Sequence, residues 1–199
     1  MLTRVAEPLA QRARRQRFLA YHGALAPTAT DRILDIGCGH GGLAALEPAA
    51  DVTGVDTAEQ PGYPGRRFVQ GDARDLPFDA NEFEIAYSNS LVEHLKPGDR
   101  QAFAAEVRRV ARRYWVQTPN RYFPVEPHVL LPGYQFLPRA AQKRLWRFGV
   151  LEGPYEKIHL LDESELRKLF PDATILRERF GGLTKSLIAV GPAGALARG

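Results

Sequence analysis

Three aspartates stand where short apolar runs end: Asp35 after Ile33-Leu34, Asp56 after Val52-Thr-Gly-Val55, and Asp72 after Phe68-Val69. Asp35 lies two residues ahead of the run Gly37-Cys-Gly-His-Gly-Gly42. Gly37, Gly39 and Gly41 present bare backbone amides to a ligand where a strand turns sharply into a helix. An anion ahead of such a loop repels a pyrophosphate and suits a ligand carrying positive charge. Asp56, about 20 residues on, is placed to hold a pair of ribose hydroxyls. Asp72 can accept a hydrogen bond from an adenine amino group.

Gly37, Gly39 and Gly42 also satisfy GxGxxG, the spacing of dinucleotide sites, which keeps an NAD(P)-dependent oxidoreductase as an alternative. Asp35 counts against it, since a dinucleotide site wants an apolar residue there. The remaining chain is also short for a nicotinamide pocket.

Proton transfer needs a base, and two histidines qualify. His94, in Ser88-Asn-Ser-Leu-Val-Glu-His-Leu95, follows one strand. His128, with Glu126, follows another in the proline-broken stretch Thr118–Gly133, which also offers Asn120 and Tyr122 as acceptor-side residues. Its prolines restrict the backbone, so the stretch is read as a preformed lid and acceptor wall. Glu126, His128 and His159 lack any element that would fix a ligand spacing, so no metal is expected.

These residues must be positioned by alternating elements. Apolar runs predict strands at Ile33–Ile36, Asp51–Asp56, Arg66–Asp72, Phe83–Asn89 and Arg113–Pro119. Helical periodicity marks about 4–20, 98–112 and 139–148, and Asp162 caps a further helix that Pro171 stops. The connection Thr57–Arg66 is too short and too rich in Gly and Pro for a helix, so the sheet is trimmed there. Residues 173–180 and 183–191, joined by Gly181-Gly182, read as a closing antiparallel pair. Strands alternating with helices give an α/β fold with a mostly parallel sheet.

The chain has 199 residues and a net charge of +4, with an isoelectric point near 9.4. Its length suits one domain. Arginine supplies the excess, in Arg12–Arg17, Arg108–Arg113 and Pro138–Arg147, runs read as solvated helix faces. No signature of nucleic-acid binding accompanies them, so nucleic acid is disfavoured as a partner. The third run interleaves aromatics with cations and offers peripheral membrane contact. No apolar stretch reaches the roughly 20 residues of a membrane span, the N-terminus lacks the apolar block of a secretory signal, and one cysteine excludes an internal disulfide. Together these point to the cytoplasm.

Four motifs in order, Asp35-Ile-Gly-Cys-Gly-His-Gly41, Gly54-Val-Asp56, Gly71-Asp-Ala-Arg-Asp-Leu-Pro-Phe78 and Leu91-Val-Glu-His-Leu95, resemble the class I S-adenosylmethionine-dependent methyltransferases. The likeness is to their small single-domain, type 11-like members and covers roughly 30–120. It implies a Rossmann-like fold, mostly parallel with a C-terminal antiparallel strand pair and helices on both faces. A single domain over 1–199 would comprise an N-terminal helical segment (1–29), a cofactor-binding core (30–118), an acceptor-side insertion (119–160) and a closing helix and strand pair (161–191). Asp35 and the backbone of Gly37, Cys38 and Gly39 would face the methionyl part of S-adenosyl-L-methionine. Asp56 and Thr57 would take the ribose, Asp72 and the Ala73 amide the adenine, and Asn89 would sit near the sulfonium. The implied reaction is methyl transfer to a small-molecule, glycan or lipid-intermediate acceptor, leaving S-adenosyl-L-homocysteine. A catalytically silent, cofactor-binding partner protein is the reading outside enzymes.

Overall fold

The computed structural model describes residues 15–125, 131–146 and 158–195. Seven strands form one sheet: β1 (Arg32–Ile36), β2 (Asp51–Asp56), β3 (Arg67–Gln70), β4 (Phe83–Asn89), β5 (Ala111–Pro119), β6 (Thr174–Phe180) and β7 (Leu183–Gly191). Their order is β3-β2-β1-β4-β5-β7-β6. β1 to β5 pair in parallel, and β7 runs antiparallel to both β5 and β6. The helices are α1 (15–25), α2 (Arg100–Val110), α3 (Arg139–Trp146) and α4 (Glu163–Leu169).

Central strands covered on both faces need apolar residues at successive positions, and these have them. Alternation sends Ile33, Ile85, Tyr87, Trp115 and Ile188 to the face covered by Tyr21, Ala24 and Leu25 of α1. Leu34, Ala86, Tyr114, Val116 and Leu187 face Phe103 and Val107 of α2 and Leu166 and Leu169 of α4. Asp162 opens α4 with a full capping box: its carboxylate accepts from Glu165 N–H (2.9 Å), and the Glu165 carboxylate accepts from Asp162 N–H (2.9 Å).

Three expectations change. The N-terminal helix, expected over about 4–20, extends in its described part to residue 25, where Ala26 (φ 43°) and Pro27 end it. Its last turn continues because Tyr21, Ala24 and Leu25 are held in the core. The glycine loop is expected to open a helix, yet residues 39–46 form only successive turns. Gly42 is left-handed (φ 47°), which interrupts any right-handed run. The arginine runs are also less solvated than their pattern suggests. Arg109 donates to the carbonyls of Phe78 and Leu76 and to Glu106, and Arg113 bridges Leu25 O and Asp31. These side chains cross-link the fold.

The trimmed connection after β2 holds no helix, as expected. Tyr63 covers that side instead, its ring lying so near Gly54 that a Cβ there would sit 2.5 Å from the ring and 2.8 Å from Cys38 Sγ.

Candidate functional site

The order of strands reverses between β1 and β4, and ligands of open α/β sheets bind beyond the carboxyl ends of strands at such a point. There the glycine loop is tied to β2, with the N–H groups of Gly37 and Cys38 both directed at Val55 O (2.8 and 3.3 Å). A cavity of about 210 Å³ opens beside the loop. Its lining includes Asp35, Gly37, Cys38 and Gly42 from the loop, Tyr87 and Asn89 from β4, Leu46, and Arg17 from α1.

Asp35 is buried, and its Oδ2 accepts from Leu43 N–H (2.6 Å). Burial pushes its carboxyl up to about 7, against a pull downward from the Leu43 amide and a further push from Asp56. Gly42 has to be glycine, because a Cβ there would coincide with Asp35 Oδ2. Gly39, also left-handed (φ 53°), would place a Cβ in open space, leaving bare backbone for a ligand to lie against. Asp56 braces the loop: its carboxylate accepts from Gly39 N–H (3.0 Å) and Ala58 N–H (3.1 Å).

β4 ends in a strained turn. Ser90 has φ 58° and is held by Gln117, whose carbonyl accepts from Ser90 N–H and whose side chain accepts from Ser90 Oγ. A non-glycine residue in this region costs of order 1 kcal/mol. The turn sets Asn89 on the cavity wall and swings Leu91 over Gly37, where a Cβ would lie 3.0 Å from its methyls.

Arg17, an arginine from a run read as solvated, lines the cavity without having been singled out by the sequence. Its Nη1 donates to Asn89 Oδ1 (2.9 Å), and its Nε and Nη2 donate to Glu178 Oε2 (3.2 and 3.0 Å). Among the described residues it is the one cation lining this cavity. No sequence signal separates it from Arg14 or Arg15, since Glu178 lies far along the chain on β6. Tyr87 of β4 also lines the cavity, and burial holds its phenol well above the usual range.

The other expected residues are distributed as follows. Thr57 adjoins Asp56 and is exposed. Asp72 does not line the cavity; Arg74 clamps it through Nε and Nη2 (2.6 Å for the latter), which holds its carboxyl below the usual range. The Ala73 methyl packs in the core. His94 is half-buried on the turn after β4 and is not part of the lining. Its neighbour Glu93 is fully buried and accepts from Thr118 Oγ1 (3.0 Å), tying that turn to β5. Asn120 Nδ2 donates to Thr184 O (2.9 Å) and Tyr122 is exposed, so neither reaches the cavity. Glu126 and His128 lie outside the described residues. Among the described residues no group of three or more His, Cys, Asp and Glu could hold a metal ion.

A second cavity of about 220 Å³ lies in the acceptor-side insertion, lined among others by Arg100, Arg121, Gln135, Phe136 and His159.

Residues 34–114 match the family model described as a methyltransferase domain. Over 107 residues the chain is 39% identical to a phthiotriol/phenolphthiotriol dimycocerosates methyltransferase of Mycobacterium tuberculosis, an alignment covering 47% of this chain and 36% of that protein. It is 37% identical over 117 residues to a fatty-acid O-methyltransferase of Mycolicibacterium smegmatis, covering 52% and 40%. The chain thus matches less than half the length of these curated relatives. In fold it is similar to a geranyl diphosphate C-methyltransferase of Streptomyces coelicolor solved with Mg2+, geranyl diphosphate and S-adenosyl-L-homocysteine (TM-score 0.61, 15% identity, 94% of this chain and 82% of that one). Sheet order, motif sequence and family match agree on a Rossmann-like methyltransferase fold, with residues 34–114 matching a methyltransferase domain.

Proposed function

We propose that the chain binds S-adenosyl-L-methionine beside Asp35 and transfers its methyl group to a small-molecule, glycan or lipid acceptor. The observation that carries this reading is the pairing of opposite charges in one small cavity. Asp35 and Arg17 both line it, a donor and acceptor set suited to a zwitterionic amino-acid tail. When bound, the sulfonium supplies a good leaving group for in-line displacement, so holding donor and acceptor in line contributes much of the rate. Asp35 would take the ammonium, Arg17 the carboxylate, and Asp56 the ribose hydroxyls. Tyr87, Asn89 and Leu46 would wall the reacting end and exclude water. His94, Glu126 and His128 are the candidates for removing an acceptor proton, with Asn120 and Tyr122 on the acceptor side. The lipid-acting relatives favour a lipidic acceptor.

Calorimetry tests the cofactor directly. Binding of S-adenosyl-L-methionine without binding of NADH is the expected result, and the reverse would overturn the proposal. Transfer of labelled methyl to fractionated lipids, metabolites, RNA and protein then identifies the acceptor class.

The raised Asp35 carboxyl gives a pH signature. Between its ordinary 3.8 and about 7 the free folded protein holds a proton that the unfolded chain has lost. Stability of the free protein therefore falls as pH rises through this window and levels off above it. A ligand ammonium needs the ionised form, so affinity should rise by up to about tenfold per pH unit as pH approaches 7, then flatten. Dissociation constants across the window would show this slope, and Asp35→Asn should abolish it.

A further inference from the structure

The tip of the β6–β7 hairpin and the insertion after β5 form one continuous face. β7 pairs antiparallel to β5 with Ser186 opposite Pro119, so residues 180–184 project past the carboxyl end of β5, on the ligand side of the sheet. Asn120 bonds both Thr184 O and Lys185 O, and the Phe123 ring meets the Phe180 ring edge-on at 6.4 Å. Gln135 Nε2 donates to Phe123 O (2.7 Å), and Gln142 Nε2 of α3 donates to Leu137 O (3.0 Å).

This face carries large apolar side chains in water: Tyr122 is 64% exposed, Phe136 59%, Phe180 58% and Leu183 52%. Leu131 and Leu137 are exposed beside them. A cluster of this kind marks an interaction surface. Its charge is predominantly positive. Residues 120–125, 131–146 and 179–185 hold six cations and no Asp or Glu. Arg121 is paired with Asp162 and Glu165 and Lys185 with Glu178, which leaves Arg139, Arg144 and Arg179 to carry the excess. Glu178, two residues from Phe180, holds Arg17 of the cofactor cavity, so the face borders the site. Phe136 also lines the second cavity, beside Arg100 and Arg121.

We propose that this face docks on an anionic lipid surface, with Phe180, Leu183, Tyr122 and Phe136 entering the headgroup boundary and the cations meeting lipid phosphates. Aromatic and leucine side chains within a basic rim are the composition of interfacial binding. That the acceptor is then drawn from the same surface rests on the methyl-transfer reading above; the docking does not.

Co-sedimentation with vesicles tests it without catalysis. The full chain should bind vesicles of phosphatidylcholine with phosphatidylglycerol, bind pure phosphatidylcholine far more weakly, and release as salt rises from about 0.15 to about 0.5 M. Phe180→Ser with Leu183→Ser should weaken binding roughly tenfold or more, and Arg139→Glu with Arg144→Glu should do so through charge alone. The two pairs lie on different elements, so misfolding of one leaves the other informative. No binding to either vesicle, or equal binding by wild type and both variants, would overturn the proposal. So would a dimer in light scattering that Phe180→Ser dissolves, since the face would then join two copies. Cofactor affinity should be unchanged in all variants. A chain that binds vesicles but no cofactor would sink the methyl-transfer reading and leave the docking standing.

Discussion

Gly42→Ala should abolish cofactor binding and lower stability by about 2–5 kcal/mol. Two causes add. The residue is left-handed at φ 47°, a conformation that costs an alanine about 1–2 kcal/mol. Its Cβ would also coincide with Asp35 Oδ2, forcing the buried carboxylate off the Leu43 amide, and overpacking of this kind costs about 1–3 kcal/mol. Two neighbours act as controls. Gly41→Ala would bring a Cβ to 3.1 Å from Ala45 Cβ without a left-handed penalty, so it should cost under about 1 kcal/mol. Gly39→Ala meets nothing within 4 Å, but it would add a methyl to the loop backbone on which the proposed ligand lies. It should lose ligand affinity at a stability cost of about 1 kcal/mol. Urea unfolding with calorimetry on the three variants separates the loop's fold from its use; equal affinities throughout would refute the site.

Arg17→Ala should weaken binding of S-adenosyl-L-homocysteine by about 10- to 100-fold, the worth of a hydrogen-bonded charge at a partly buried site. The guanidinium lines the cavity while already braced by Glu178 and Asn89, so it meets a ligand carboxylate with little left to order. The same variant should bind 5′-methylthioadenosine, which lacks the amino-acid tail, as wild type does. A purely structural arginine would weaken both ligands alike. Arg17→Lys should fall between, since it keeps the charge and loses the fork that spans two partners.

The strands were legible because central strands of a parallel sheet must be apolar on both faces, and runs such as Ile33–Ile36 and Ile85–Tyr87 leave little else to be. The Asp35–Gly42 loop was legible because bare backbone near a carboxylate has few other uses. The missing helix after that loop was not, since glycine spacing is the same whether a helix or a string of turns follows; the left-handed Gly42 decides it. Arg17 was hidden for a different reason. Which arginine of a basic run turns inward depends on how α1 docks across the sheet, through a contact 161 residues away. Asp72 shows the converse: it was expected to end the third strand, but β3 stops at Gln70, and Arg74, two residues beyond Asp72, occupies its carboxylate.

Cys38 sits in the wall of a cavity suited to an alkylating ligand, and a thiolate is the side chain most readily alkylated. Burial first, then Asp35 and Asp56, push its thiol up to about 12. At pH 7 only about one molecule in 10⁵ then carries the reactive anion. Burial, with the two carboxylates adding to it, thus keeps the thiol of the free protein in its unreactive form.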